Sequence, residues 1–213
     1  QRFAQQGAVE LVTRFHMEFV DAALAQVASP AAAKVVPVAV SGDERAWQSL
    51  ADQAEDNLAK GQFGIAEGLA RQAVDEAMRI FQADHPNTAA SLSVLGSSMF
   101  RQGRFAEAER SFREALDIYE RRSGENSVNT ASALNNLALV LERLGDYAGA
   151  ELLLRRAVRI LVRTVGMNKA DTATTLSNLG RVLDSQGKFG AGTELLAELT
   201  ATAAPGQTAN GAE

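Results

Sequence analysis

Residues 132–150 read SALNNLALVLERLGDYAGA, and residues 90–108 read ASLSVLGSSMFRQGRFAEA. Laid over one another at an offset of 42 residues, Leu95 falls on Leu137, Gly96 on Ala138, Phe105 on Tyr147 and Ala108 on Ala150. The same offset holds outward along the chain. Gly61, Gly103, Gly145 and Gly187 recur at it, each followed two residues later by an aromatic: Phe63, Phe105, Tyr147, Phe189. Ala66, Ala108, Ala150 and Gly192 form the next column, then Ala73, Ala115, Ala157 and Leu199, while Leu179-Gly180 continues the Leu-small pair. Matched residue types at one fixed period mark a chain built from repeated structural units.

Within a unit the apolar spacing is helical. Leu92, Leu95, Gly96 and Met99 lie on one face of a first helix, as do Leu134, Leu137, Ala138 and Leu141 one unit later. Phe105, Ala108, Phe112, Ala115 and Tyr119 line a second helix, with Tyr147, Ala150, Leu154, Ala157 and Leu161 as counterparts. Gly103 and Gly145 suit the left-handed residue that ends a helix. Gly124 and Gly166 punctuate the ends of the second helices. Asp84, Asn126 and Asn168 are expected as N-caps, and Ser41-Gly42-Asp43-Glu44 as a capping box ahead of the first unit. The small side chains Ala108 and Ala150 are expected at close helix–helix contacts.

The resulting expectation is all-α: a right-handed solenoid of four antiparallel helix hairpins at 43–84, 85–126, 127–168 and 169–202. A further helix is expected at 1–28, where Val12, Phe15, Phe19, Val20 and Leu24 form an apolar stripe. A proline-bearing linker at 29–42 and a disordered tail at 203–213 complete the chain. The terminal units depart from the pattern: Gln53 replaces the leucine, Ala70 the bulky residue, and Gly190 and Gly192 interrupt the last helix. End units with a single neighbour tolerate such weakening.

Composition narrows the function. The chain has 213 residues, 46% of them hydrophobic, and a net charge of −5, which offers no drive toward nucleic acid or anionic lipid. With no cysteine, thiolate zinc sites, iron–sulfur clusters and cysteine nucleophiles are excluded, and no apolar run approaches the ~20 residues of a membrane-spanning helix. The chain begins at Gln1 with no visible signal peptide. An exported, periplasmic mature chain and a trimmed cytoplasmic one look alike at this level. His16 and His85, the two histidines, stand at no recognised catalytic spacing. The glycine-rich run Gly61–Gly68 lacks the Gly-Lys-Ser/Thr of a phosphate loop and follows a helix. No catalytic residue, metal ligand or cofactor site is expected.

These landmarks resemble the tetratricopeptide repeat. The 42-residue unit, Ser-Ala-Leu-Asn-Asn-Leu-Ala at 132–138 and His85-Pro86-Asn87 resemble the kinesin-light-chain type, in which about eight extra residues lengthen the usual 34-residue repeat. The resemblance implies an interaction protein that holds a partner peptide or helix in a concave groove lined by first helices. Carried onto this sequence, the groove positions are Ser93, Asn135 and Ser177, then Ser97, Leu139 and Arg181, with Arg101 and Arg143 further along. Asn135 resembles the asparagine that grips a peptide backbone, since an amide both donates and accepts. Arg101 and Arg143 are placed to meet a carboxylate, so the partner is expected to be a protein or peptide of some acidic character. Arg155, Arg156, Arg159 and Arg163 form a second basic stripe, whose bland reading is a solvated face paired with glutamates. The other reading is an assembly subunit, docked through the N-terminal stripe and the open last repeat in a homo-oligomer or larger complex.

Overall fold

The computed structural model describes residues 42–167, 169–189 and 191. The stripe Val12, Phe15, Phe19, Val20 and Leu24, the residues Ser41 and Asn168, and the tail at 203–213 lie outside the described residues. Among those described there are seven α-helices and no strand: α1 Gly42–Ala59, α2 Phe63–Phe81, α3 Pro86–Arg101, α4 Phe105–Ser123, α5 Val128–Arg143, α6 Tyr147–Thr164 and α7 Ala170–Ser185. Three hairpins, α1–α2, α3–α4 and α5–α6, follow one another and α7 packs after them, while residues 192–202 of the expected fourth hairpin lie outside the described residues. Each helix packs on the next in sequence, and the first helices α1, α3, α5 and α7 also touch in order. They form the inner wall of a solenoid.

The hairpins close where a small residue meets a large one. A Cβ added to Gly96 on α3 would stand 2.9 Å from the ring of Phe112 on α4, closer than carbon atoms approach. In the third hairpin the register partners are Ala138 and Leu154, both fully buried. Each methyl gained on one side is matched by bulk lost on the other, as close packing requires. Ala108 and Ala150 are fully buried at the neighbouring contact, as the repeat alignment expects. The first hairpin is built differently. Ala54 faces inward with Ala70 at the register of Phe112, and Gln53 lies exposed, donating to Ser49 of its own helix. Trp47 occupies the column held by Ala89 and Ala131, packs edge-on to Phe81 at 5.2 Å and donates its indole N–H to Ser91 at 2.9 Å. One large aromatic thus takes the place that alanine holds in the next two hairpins.

The turns follow the same period. Gly103 and Gly145 have φ of +78° and +86°, the left-handed termination expected of them. The N-caps differ from expectation by one residue. His85, not Asp84, caps α3, because Pro86 sets the first helical φ and His85 stays extended with Nδ1 accepting from the Asn87 amide. Ser127, not Asn126, caps α5 and accepts from the Thr130 amide. Lys169 precedes α7 without a side-chain cap. Asp84 instead receives the guanidiniums of Arg121 and Arg122 from α4.

A buried threonine then closes each hairpin-to-hairpin loop. Thr88, Thr130 and Thr172 are fully buried and donate to the carbonyls of Gln82, Gly124 and Gly166 respectively, at 2.8–2.9 Å. These three carbonyls belong to left-handed residues with φ of +78°, +89° and +95°. Gln82 does without a Cβ-free backbone what the two glycines do with one.

Two stability outcomes follow. Gln82 has φ +78° and ψ +164°, a region in which a side chain costs on the order of 1–3 kcal/mol. Gln82→Gly is therefore expected to raise unfolding stability by roughly 1 kcal/mol after the greater chain entropy of glycine is counted, and a denaturant titration showing a loss would contradict the assignment. Gly96→Ala is expected to cost about 1–3 kcal/mol through overpacking on Phe112, and an unchanged melting temperature would refute that close approach.

Candidate partner-binding groove

The first helices carry three columns at the 42-residue period: Ala51, Ser93, Asn135, Ser177; Glu55, Ser97, Leu139, Arg181; and Ala59, Arg101, Arg143, Ser185. They run across α1, α3, α5 and α7 in that order. The central positions are the more enclosed. Ser97 and Leu139 are buried, and the Ser93 and Ser97 hydroxyls donate back to the carbonyls of Ala89 and Ser93 in their own helix. Ser177 is exposed.

Asn135 does not stand alone. Its side-chain oxygen accepts from Asn178 Nδ2 at 2.9 Å, across from α5 to α7. Asn178 is buried, and its own oxygen receives Arg181 Nη2 at 3.4 Å, while Arg181 Nη1 bonds Glu142 on α5. Asn135, Asn178, Arg181 and Glu142 are therefore one chain of donors and acceptors spanning two first helices. Sequence reading singled out Asn135 and Arg181 but not Asn178 or Glu142, which complete the chain. The two missed residues lie one position off the columns used for the resemblance.

The arginines Arg101 and Arg143 rest on aromatic rings. The Arg101 guanidinium carbon lies 4.7 Å from the centre of the Phe63 ring, and that of Arg143 lies 5.9 Å from Phe100. Over the Phe100 ring the Arg143 cation is attracted by the ring quadrupole, an interaction with the ring face that does not use its N–H donors. Arg143 is exposed. In the second stripe, Arg155 pairs with Glu151 and Arg156 with Glu120 and Glu125, while Arg159 and Arg163 are exposed.

The opposite end of the wall is acidic. Glu55 shares the column of Ser97 and Arg181 and was legible by stepping back 42 residues from Ser97. Burial, with Asp52 and Asp56 on the same helix, raises its carboxyl to about 7. The neighbouring Tyr119 phenol on α4 is pushed up to about 12 by burial, partly offset by its hydrogen bond with Ser93 and reinforced by the charge of Glu55. Among the described residues no three His, Asp or Glu side chains converge in a metal-binding group, and no helix is long and apolar enough to cross a membrane.

The raised Glu55 pKa has a defined pH signature. The folded value, about 7, exceeds the ordinary 4.5, so the folded state holds the proton more tightly. That stability is fully present below pH ~4.5 and is lost as pH rises through ~7. Glu55→Gln removes the titration. The melting-temperature gain of this variant over wild type is expected to grow from pH 4.5 to 7 and then level off, whereas a gain that is constant with pH would contradict it.

The sequence matches the tetratricopeptide repeat family over residues 48–121, 95–161 and 129–201, three overlapping stretches that together span most of the chain. No curated protein sequence matches it. Solved structures are similar in fold. BtubC (BKLC) from P. vanneervenii aligns with a TM-score of 0.66 at 21% identity, covering 83% of this chain and 72% of that one. A putative kinesin light chain from Podosopora anserina with nearly identical TPR-like repeats aligns with a TM-score of 0.66 at 21% identity, covering 74% of each chain. Its Q17M form aligns with a TM-score of 0.60 at 21% identity, covering 90% of this chain and 91% of that one. Repeats of this kind are generally protein–protein interaction modules. With helices, turns and small-to-large contacts all recurring at one 42-residue period, the chain belongs to the tetratricopeptide repeat family.

Proposed function

We propose that this protein is an adaptor that holds a segment of another protein along the wall formed by α1, α3, α5 and α7. The segment is acidic where it meets α3 and α5. The observation that carries the reading is the exposed Arg143, poised over Phe100 with its guanidinium edge available, one repeat on from Arg101 over Phe63. Planar guanidinium edges fit carboxylates through paired hydrogen bonds. The Asn135–Asn178–Arg181–Glu142 chain supports it differently. Its bonds tie α5 to α7, so it stiffens the wall and fixes the orientation of the Asn135 amide. The groove's acidic α1 end gives the bound segment a direction, with its acidic residues away from Glu55.

Arg143 is exposed and its substitution leaves the core untouched. Arg143→Glu is therefore expected to cost at most about 1 kcal/mol of stability, from the lost contact with the Phe100 ring, and to weaken binding of a partner captured from the source cells about tenfold or more, in line with the ~1.5–3 kcal/mol of a hydrogen bond to a charged group. Calorimetric titration of that partner is the measurement. Full affinity in the variant would move the site off this wall.

A further inference from the structure

Three carboxylates occupy the same place on the second helices: Glu67 on α2, Glu109 on α4 and Glu151 on α6. Each has an arginine four residues on within its own helix, Arg71, Arg113 and Arg155, and each is bonded by it. Two of the three also reach into the next hairpin. Glu67 receives Gln102 at 2.8 Å and Arg104 at 2.7 Å from the turn after α3. Glu151 receives Gln186 at 3.0 Å and Lys188 at 2.6 Å from the turn after α7. At the corresponding turn after α5 the donors are gone. Leu144, 47% exposed, stands where the others have glutamine, and Asp146 stands where they have a base. Asp146 turns to the Gly149 amide instead, and Glu109 keeps Arg113 alone.

The inner wall repeats the contrast. The first and second hairpins are joined there by the Trp47–Ser91 hydrogen bond, and the third hairpin and α7 by Asn178 to Asn135 and Arg181 to Glu142. Between the second and third hairpins the corresponding polar contact is Arg143 over the Phe100 ring. What does bind them is a shared apolar core running from α3 and α4 to Leu137, Leu139 and Val140 on α5, and an ion pair from Arg156 on α6 to Glu120 on α4 at 2.5 Å. That pair lies toward the end of α4 remote from Glu109.

We propose that the solenoid bends at the junction of its second and third hairpins, with the Arg156–Glu120 ion pair as pivot and the α5–α6 turn swinging against the start of α4. Apolar contacts there resist separation but not small rotation, because burial is non-directional while hydrogen bonds hold an angle. The flanking junctions are held by carboxylates bonded on several sides. Burial alone would raise Glu67 and Glu151, yet hydrogen bonds from Gln102, Arg71 and Arg104, and from Lys188, Arg155 and Gln186, bring each down to about 2. The bend changes the spacing between Arg101 and Arg143, and so the curvature of the wall, whatever occupies it.

The absence of cysteine makes the test clean. Gly64, Ala106 and Ala148 are exposed equivalents at the starts of α2, α4 and α6. Spin labels at introduced cysteines compare the held pair 64–106 with the free pair 106–148 by electron paramagnetic resonance. The distance distribution of 106–148 is expected to be the wider. Leu144→Gln with Asp146→Arg supplies Glu109 with the missing donors and is expected to narrow it to the width of 64–106. The reverse exchange, Gln102→Leu with Arg104→Asp, is expected to widen 64–106 and keeps the idea testable if the first variant folds poorly. Equal widths in the unsubstituted chain, or widths that respond to neither exchange, would overturn the proposal.

Discussion

The architecture rests on how closely the two helices of a hairpin approach. At Gly96 the backbone of α3 comes so near the Phe112 ring that no Cβ fits between them. That approach fixes how the two helices of the second hairpin pack, and so where the next hairpin can rest on them. Because the same small-to-large contact returns as Ala138 and Leu154, the stacking step is repeated and the first helices fall into line. An inner wall with columns of equivalent residues is a geometric consequence of that repeated step. The wall exists before any of its residues has a role.

Polar contacts then decide how firmly each step is held. The buried threonines Thr88, Thr130 and Thr172 close every loop between hairpins in the same way. They impose one loop shape, including the left-handed residue that Gln82 adopts without the freedom of glycine. The carboxylates Glu67 and Glu151 are held from two hairpins at once, and Glu109 from its own helix. A repeat protein can therefore be uniform in its core and uneven in its stiffness. Apolar packing conserves position, while directional bonds conserve angle.

The wall itself is electrostatically graded. Glu55, Asp52 and Asp56 lie at the α1 end, and Arg101 and Arg143 lie beyond them over aromatic rings. Arg181, by contrast, is engaged by Glu142 and Asn178. Arg143, which is exposed, and Arg181, which is internally bonded, thus differ in availability. The repeat family is one of protein–protein interaction modules, and this chain's own side chains give the wall its polarity.

Much of this was legible in the sequence because it depends on period alone. The glycines, the aromatic after each, the paired alanines and the 42-residue spacing specify helix, turn, helix and stack without any knowledge of distance. Gly103 and Gly145 adopt the left-handed turns, and Ala150 the full burial, that their columns require. The caps moved by one residue because the choice between Asp84 and His85 turns on the fixed φ of Pro86 and the reach of one side chain. What only the tertiary structure decided is which polar groups meet: Asn135 with Asn178, Arg181 with Glu142, Glu67 but not Glu109 with the following turn. These pairs lie more than thirty residues apart and depend on ångström distances between neighbouring hairpins. A period reports which residues occupy equivalent places, and a hydrogen bond depends on how far apart two inequivalent places come to rest.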